Sequence, residues 1–236
     1  MLPPTKINLS VDMFGNNIIR KPEKGDGTKL QVQEIFKTFQ GEGPYTGYPA
    51  IFIRLGGCNL ACDFCDTEFE SFKELSLKEI INTTNTLSGQ HSKLFTHKLV
   101  VITGGEPFRQ PIEKLCDELI TEGYKIQIET NGTLFRDINK LVSIICSPKN
   151  TNGYTPIRDD LLQRIHALKF IISANNNLYN KVGEVGQTKY NIPIYVQPMD
   201  ELDENKNLQN IQATLKIATE NGYNISLQTH KIIGIK

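Results

Sequence analysis

The chain has 236 residues, 39% hydrophobic and 22% charged, which suits one globular domain with a sizeable core and is short for two large ones. Lysine plus arginine and aspartate plus glutamate both number 26, and the resulting net charge of zero argues against a dedicated nucleic-acid binder, which carries a basic excess. No run approaches the ~18 apolar residues of a membrane span, and no signal-peptide pattern opens the chain, so small molecules are the expected partners.

In chain order, residues 1–29 carry prolines, glycines and lysines with little periodicity and read as an N-terminal extension to a domain over 30–236. Short apolar runs at 30–37, 50–55, 98–103, 125–130, 141–147, 167–173, 192–197 and 224–229 read as strands. Helices are expected between them. Ser76 and Glu79 form a capping box ahead of Ile80 and Ile81, and residues 111–122 open with Pro111 and stop at Gly123. Residues 207–221 place Leu208, Ile211, Leu215 and Ala218 on one face and stop at Gly222. Strands alternating with helices imply βαβ units and a parallel sheet. The spacing predicts an α/β fold, a partial (β/α) barrel of about six parallel strands, with functional motifs at the carboxyl ends of strands.

Three of the five cysteines, Cys58, Cys62 and Cys65, fall within eight positions after the strand at 50–55. An odd count clustered this way points to a metal site in a reducing cytoplasm rather than to a disulfide framework. Three thiolates can serve three irons of a [4Fe–4S] cubane and leave the fourth open, whereas electron-transfer clusters usually take four. An amino acid's amine and carboxylate can chelate that open iron, and S-adenosylmethionine offers both. Phe64, between the last two cysteines, is placed to cover the cluster and lie beside the adenine. The competing reading is a zinc site completed by a distant ligand such as His230, although no second cysteine knuckle exists. Cys116 and Cys146 sit in apolar surroundings and read as core thiols.

This spacing, with its aromatic, resembles the radical S-adenosylmethionine (radical SAM) superfamily. The resemblance implies cleavage of the cofactor to a 5′-deoxyadenosyl radical that abstracts a substrate hydrogen. The strand at 98–103 ends in Thr103 and breaks into Gly104-Gly105-Glu106-Pro107, similar to the superfamily loop that binds the methionine amino group. Glu129, Ser147, Lys149 and, more weakly, Gln197 follow later strands and are candidates for the ribose and carboxylate of the cofactor. Turn chemistry alone also accounts for Asn131-Gly132 and Ser147-Pro148.

The stretch Gln40-Gly41-Glu42-Gly43 offers backbone groups and a carboxylate to a flat polar heterocycle, and Arg54 offers a bidentate fork to a carboxylate. Together with Arg54-Leu-Gly-Gly-Cys58, Cys65-Asp66-Thr67, Thr-Gly-Gly-Glu-Pro, Glu-Thr-Asn-Gly, Ser-Pro-Lys and Gln228-Thr-His230-Lys231, it closely resembles the 7-carboxy-7-deazaguanine synthase family. That family resemblance implies a queuosine-pathway lyase acting on 6-carboxy-5,6,7,8-tetrahydropterin. Ring contraction, loss of ammonia and return of the abstracted hydrogen follow, so the cofactor is regenerated. It also implies Mg²⁺ contacted by Thr67, substrate binding by Gln40, Gly41, Glu42, Gly43, Arg54, Thr103 and His230, an external electron donor such as flavodoxin, and a homodimer. A protein-activating radical SAM enzyme and a non-catalytic iron–sulfur or zinc protein remain the alternatives.

Overall fold

The computed structural model describes residues 17–90 and 96–236; residues 1–16 of the expected extension lie outside the described residues. Nine strands form one sheet: β1 (Lys29–Phe39), β2 (Pro49–Leu55), β3 (Lys73–Ser76), β4 (Leu99–Gly104), β5 (Lys125–Thr130), β6 (Ser143–Cys146), β7 (Ile165–Ile172), β8 (Ile194–Pro198) and β9 (Asn224–Ile225). Their spatial order is β3-β1-β2-β4-β5-β6-β7-β8-β9. The β1 strand is antiparallel to β2 and β3, whereas every neighbouring pair from β2 to β9 is parallel. The parallel part is the expected open barrel, with six strands of at least four residues and the two-residue β9 at its edge.

Helices α1 (Leu77–Ser88), α2 (Glu113–Thr121), α3 (Asp159–Leu162), α4 (Gln187–Tyr190), α5 (Glu204–Asn221) and α6 (Thr229–Ile233) complete the chain. The Ser76–Glu79 capping box forms, with Ser76 N–H donating to the Glu79 carboxylate at 2.8 Å, and α1 stops at Gly89 in the left-handed conformation. The antiparallel pairing of β3 with β1 was not foreseen, because Lys73-Glu-Leu-Ser76 carries no strand pattern of its own and is half exposed on an edge.

Strand parity divides the side chains into two sets. Ile51, Ile53 and Leu55 of β2, Val100 and Ile102 of β4, Ile126 and Ile128 of β5, and Leu168, Phe170 and Ile172 of β7 face outward and meet the helices in the main core. Cys116 and Cys146 are buried in it, as expected of core thiols. The inward set begins at the amino ends with an apolar plug of Ala50, Leu99 and Val101, against which Tyr45 and Phe52 pack. Towards the carboxyl ends the same faces carry Arg54, Thr103, Glu129, Lys169 and Gln197, and there the barrel opens into a cavity.

Two expectations are corrected here. The helix at the C-terminal side forms as α5, yet it buries Asn210, Thr214 and Ala218 and leaves Leu208, Ile211 and Leu215 exposed. The rotation follows from Asn210, whose side chain accepts from Ala174 N–H at 2.7 Å and donates to the Met199 carbonyl at 2.9 Å, ties no leucine offers. The strand expected at 224–229 pairs only over Asn224–Ile225, and Thr229 begins α6 because its N–H and hydroxyl are drawn to the Gly41 carbonyl at 3.0 and 3.1 Å.

Candidate active site

One cavity of about 350 Å³ opens at the carboxyl ends of the parallel strands. Cys58, Cys62 and Cys65 line one end, on the loop that leaves β2. That loop is held from behind. Arg109, 2% exposed, donates to the Gly56 carbonyl at 2.8 Å, Gln110 donates to the same oxygen at 3.2 Å, and the N-terminal segment adds Arg20 N–H to the Cys58 carbonyl at 2.7 Å. Gly104 and Gly105 line the cavity directly beside that loop. A Cβ on Gly104 would run into the Leu55 carbonyl and one on Gly105 into the Gly57 carbonyl, so only glycine lets β4 press against the cysteine loop. The Glu106 N–H then donates to the Gly57 carbonyl at 3.1 Å.

Burial pushes the Cys58 thiol up to about 12, and burial raises Cys62 and Cys65 as well, although Lys149 opposes it at Cys62. Such thiols are poor nucleophiles, and metal binding would relieve the cost by displacing their protons. Leu60 N–H and Asn131 Nδ2 point at the Cys58 sulfur at 3.5 and 3.9 Å, the kind of donor that stabilises thiolate in an iron–sulfur site. Among the described residues no three His, Cys, Asp or Glu side chains converge on a single ion. Three separate thiols around one mouth fit a cubane, in which each serves a different iron.

The other end is built by side chains. Gln40, 2% exposed, donates to Glu129 at 2.8 Å and accepts from Glu42 N–H at 3.0 Å. Gln127 donates to the same Glu129 oxygen at 2.9 Å, and Gln228 donates to Glu42 at 2.9 Å. Lys169 hydrogen-bonds Glu42 and stands 3.9 Å from Glu129. Burial alone would raise the Glu42 carboxyl, but the Lys169 charge and hydrogen bond, with Gln228, hold it down at about 2. Burial likewise opposes charge on Lys169, and Glu42 and Glu129 overcome it, holding the ammonium above the ordinary lysine range. His230 lines the cavity beside them; burial lowers its pKa against the pull of Glu42, favouring the neutral ring.

Of the residues picked out in sequence, Gln40, Glu42, Arg54, Cys58, Cys62, Phe64, Cys65, Thr67, Thr103, Gly104, Gly105, Glu129, Ser147, Lys149, Gln197 and His230 all line this one cavity. Phe64 stands edge-on to Tyr179 with ring centroids 4.9 Å apart, and Lys149 donates to Ser147 at 2.8 Å. Arg54 is at present paired with Glu34 at 2.9 Å. Thr67 donates to Asp66 at 3.2 Å, and Asp66 pairs with Lys231, which also holds Asp200.

Three picks fall outside the lining. Glu106 is completely buried and accepts from Phe108 N–H, Asn131 N–H and the Thr130 hydroxyl at 3.0, 2.8 and 2.7 Å, so its oxygens clamp the β4 and β5 exits together instead of meeting an ammonium. Gly41 lies directly under the His230 ring, where any Cβ would collide with it, and Gly43 N–H donates to Ser226 at 2.9 Å. Both glycines dock the C-terminal segment. Sequence reasoning missed Lys169, and it named Asp66, Gln228 and Lys231 within motifs without giving them a role. The one signal for Lys169 was a lysine inside the apolar run Ala167-Leu-Lys-Phe-Ile-Ile172, at an inward position of its strand.

Residues 52–148 match the family model of the Radical SAM superfamily, and an open parallel barrel with three cysteines on its first loop is the architecture of that class. Over 228 residues the chain is 55% identical to the 7-carboxy-7-deazaguanine synthase of Rickettsia prowazekii (strain Madrid E), covering 96% of this chain and 97% of that one. It is 37% identical to the 7-carboxy-7-deazaguanine synthase of Rhodospirillum rubrum, over 94% and 100% of the two chains. A crystal structure of QueE from Escherichia coli matches with a TM-score of 0.64 at 25% identity, over 84% of this chain and 93% of that one. The chain belongs to the 7-carboxy-7-deazaguanine synthase family. As a radical SAM enzyme it works with a [4Fe–4S] cluster and S-adenosylmethionine. No helix among the described residues is long and apolar enough to cross a membrane.

Proposed function

We propose that this cavity contracts the ring of 6-carboxy-5,6,7,8-tetrahydropterin to 7-carboxy-7-deazaguanine with loss of ammonia, an early step of deazapurine (queuosine) biosynthesis. The observation that carries this reading is the shared cavity: three thiols at one end and the Gln40–Glu42–Glu129 group at the other open into the same space. Held by Cys58, Cys62 and Cys65, a [4Fe–4S] cluster with S-adenosylmethionine would supply radical hydrogen-abstraction chemistry towards the substrate.

The chain's own groups hold and orient the reactants. Cys58, Cys62 and Cys65 are the cluster ligands, and Phe64, Gly104, Gly105, Ser147, Lys149 and Gln197 form the cofactor wall. Glu129, a cofactor candidate by sequence, works in this reading at the pterin end, because its carboxylate is tied to Gln40 and Lys169. The Glu42 and Glu129 side chains accept paired N–H groups from the guanidine-like edge of the pterin. Arg54 exchanges Glu34 for the substrate carboxylate, an exchange favoured by the bidentate match. Thr67 contributes one hard oxygen to Mg²⁺; substrate oxygens and waters complete that shell, so the metal binds weakly without substrate. His230 closes the pocket over Gly41. An external electron donor of the flavodoxin type, a homodimer and a cytoplasmic setting belong to the same reading.

The test is anaerobic reconstitution with iron and sulfide, addition of reductant, S-adenosylmethionine, Mg²⁺ and the carboxytetrahydropterin, and detection of 7-carboxy-7-deazaguanine by mass. Formation of that product is the expected result. Its absence from iron-replete protein that still cleaves the cofactor would overturn the substrate assignment.

A further inference from the structure

Lys169 sits at an inward position of β7, 6% exposed, in a strand whose other described residues are mainly apolar. A lysine there loses its hydration and is retained only if charge partners replace it. Its partners are Glu42 from the loop after β1 and Glu129 from β5, two carboxylates that come from opposite sides and share one ammonium. The side chains of Glu42 and Glu129 are themselves only 14% and 22% exposed. Two carboxylates held by one ammonium in so confined a space repel each other, and the cation between them offsets that repulsion.

We propose that Lys169 is a positioning residue for pterin recognition: it bridges Glu42 and Glu129 and fixes their spacing, so that both accept N–H groups of the heterocycle. This rests on the pterin reading above. The remaining charged groups around the trio do not substitute for it. Asp66 adds negative charge, Lys149 is itself buried with its ammonium disfavoured by that burial, and buried His230 is biased towards its neutral form. Lys231 is engaged by Asp66 and Asp200. Gln40, Gln127 and Gln228 supply hydrogen bonds to the two carboxylates but no charge. Lysine suits the place because a compact ammonium reaches both carboxylates from one strand position.

The experiment compares wild type, Lys169→Met and Lys169→Arg, all cluster-loaded and held anaerobic without reductant. Affinity for the carboxytetrahydropterin is measured from about pH 6 to about pH 8.5, alongside iron content and S-adenosylmethionine binding. Methionine is expected to leave iron and cofactor binding at wild-type levels and to weaken the pterin on the order of tenfold at the acid end. The deficit should shrink as pH rises and Glu42 ionises unaided, while wild type stays flat apart from the substrate's own titration and arginine recovers most of the affinity. Wild-type affinity in Lys169→Met at every pH would overturn the inference. So would an equal deficit at every pH that arginine does not recover, which is the mark of a merely structural ion pair. Product formation by the wild type in the same preparation reports separately on the pterin reading, so failure of one is not mistaken for failure of the other.

Discussion

At the cluster end of the cavity the functional groups sit on a loop, residues 56–67, and are held from behind by backbone hydrogen bonds to Arg109, Gln110 and Arg20. At the pterin end they sit on or beside strands β1, β5 and β7 and hold one another through side chains. The first end offers thiols that carry protons until metal arrives; the second offers Glu42, whose charge is already set by a buried lysine. The difference teaches that one end is completed by its cofactor and the other is organised before its ligand comes. Damage to either should therefore leave the other largely intact.

The largest effect is expected at the cluster end. Cys62→Ala removes one of three anchors, and turnover should vanish together with the iron, measured by iron content and by loss of 5′-deoxyadenosine formation. A variant that keeps full iron and activity would break the assignment of the triad. Gly104→Ala should follow, because a methyl group has no room against the Leu55 carbonyl and the residue's φ of 123° disfavours any side chain. A loss of roughly 3 kcal/mol in urea unfolding is expected, the upper range for overpacking, and an unchanged midpoint would contradict the close approach of β4 to the cysteine loop.

The pterin end is probed by Glu42→Ala, which should preserve iron and cofactor binding but weaken substrate by about 2 kcal/mol, the cost of unpairing a charged hydrogen bond. Unchanged substrate affinity would remove Glu42 from the site. A smaller effect concerns acid stability. The Glu42 carboxyl lies at about 2 in the folded chain against an ordinary 4.5, so folding favours its ionised form. That contribution is present in full above about pH 4.5 and is lost as pH falls towards 2. Glu42→Gln should accordingly show a shallower decline of the urea midpoint between about pH 5 and pH 3 than wild type does. The smallest expected change is in Thr67→Val, which should raise the Mg²⁺ concentration needed for half-maximal activity while leaving iron content alone.

Much of the cluster end was legible in sequence because its signals are local: Cys58, Cys62 and Cys65 lie within one loop, and Gly104-Gly105 announces a close approach. Glu106 misled for a physical reason. It belongs to the same motif, yet three donors from β5 and its own turn draw it inward, and no spacing rule shows where those donors lie. The pterin end is assembled across sequence separations of more than a hundred residues, as between Glu42 and Lys169, so its partnerships appear only when the sheet is assembled. The solvent-facing leucines of α5 carry the same lesson, since Asn210 takes the buried face by hydrogen-bonding Ala174 and Met199 just past β7 and β8, while the Thr214 hydroxyl is satisfied within the helix at the Asn210 carbonyl.

The central claim, that cluster and pterin sites act in one cavity on one substrate, is tested most directly by counting products with S-adenosylmethionine limiting. Under strict anaerobiosis, with reductant, Mg²⁺ and excess carboxytetrahydropterin, 7-carboxy-7-deazaguanine should form in excess of the cofactor supplied, and little 5′-deoxyadenosine should accumulate. Accumulation of 5′-deoxyadenosine with no 7-carboxy-7-deazaguanine would contradict it.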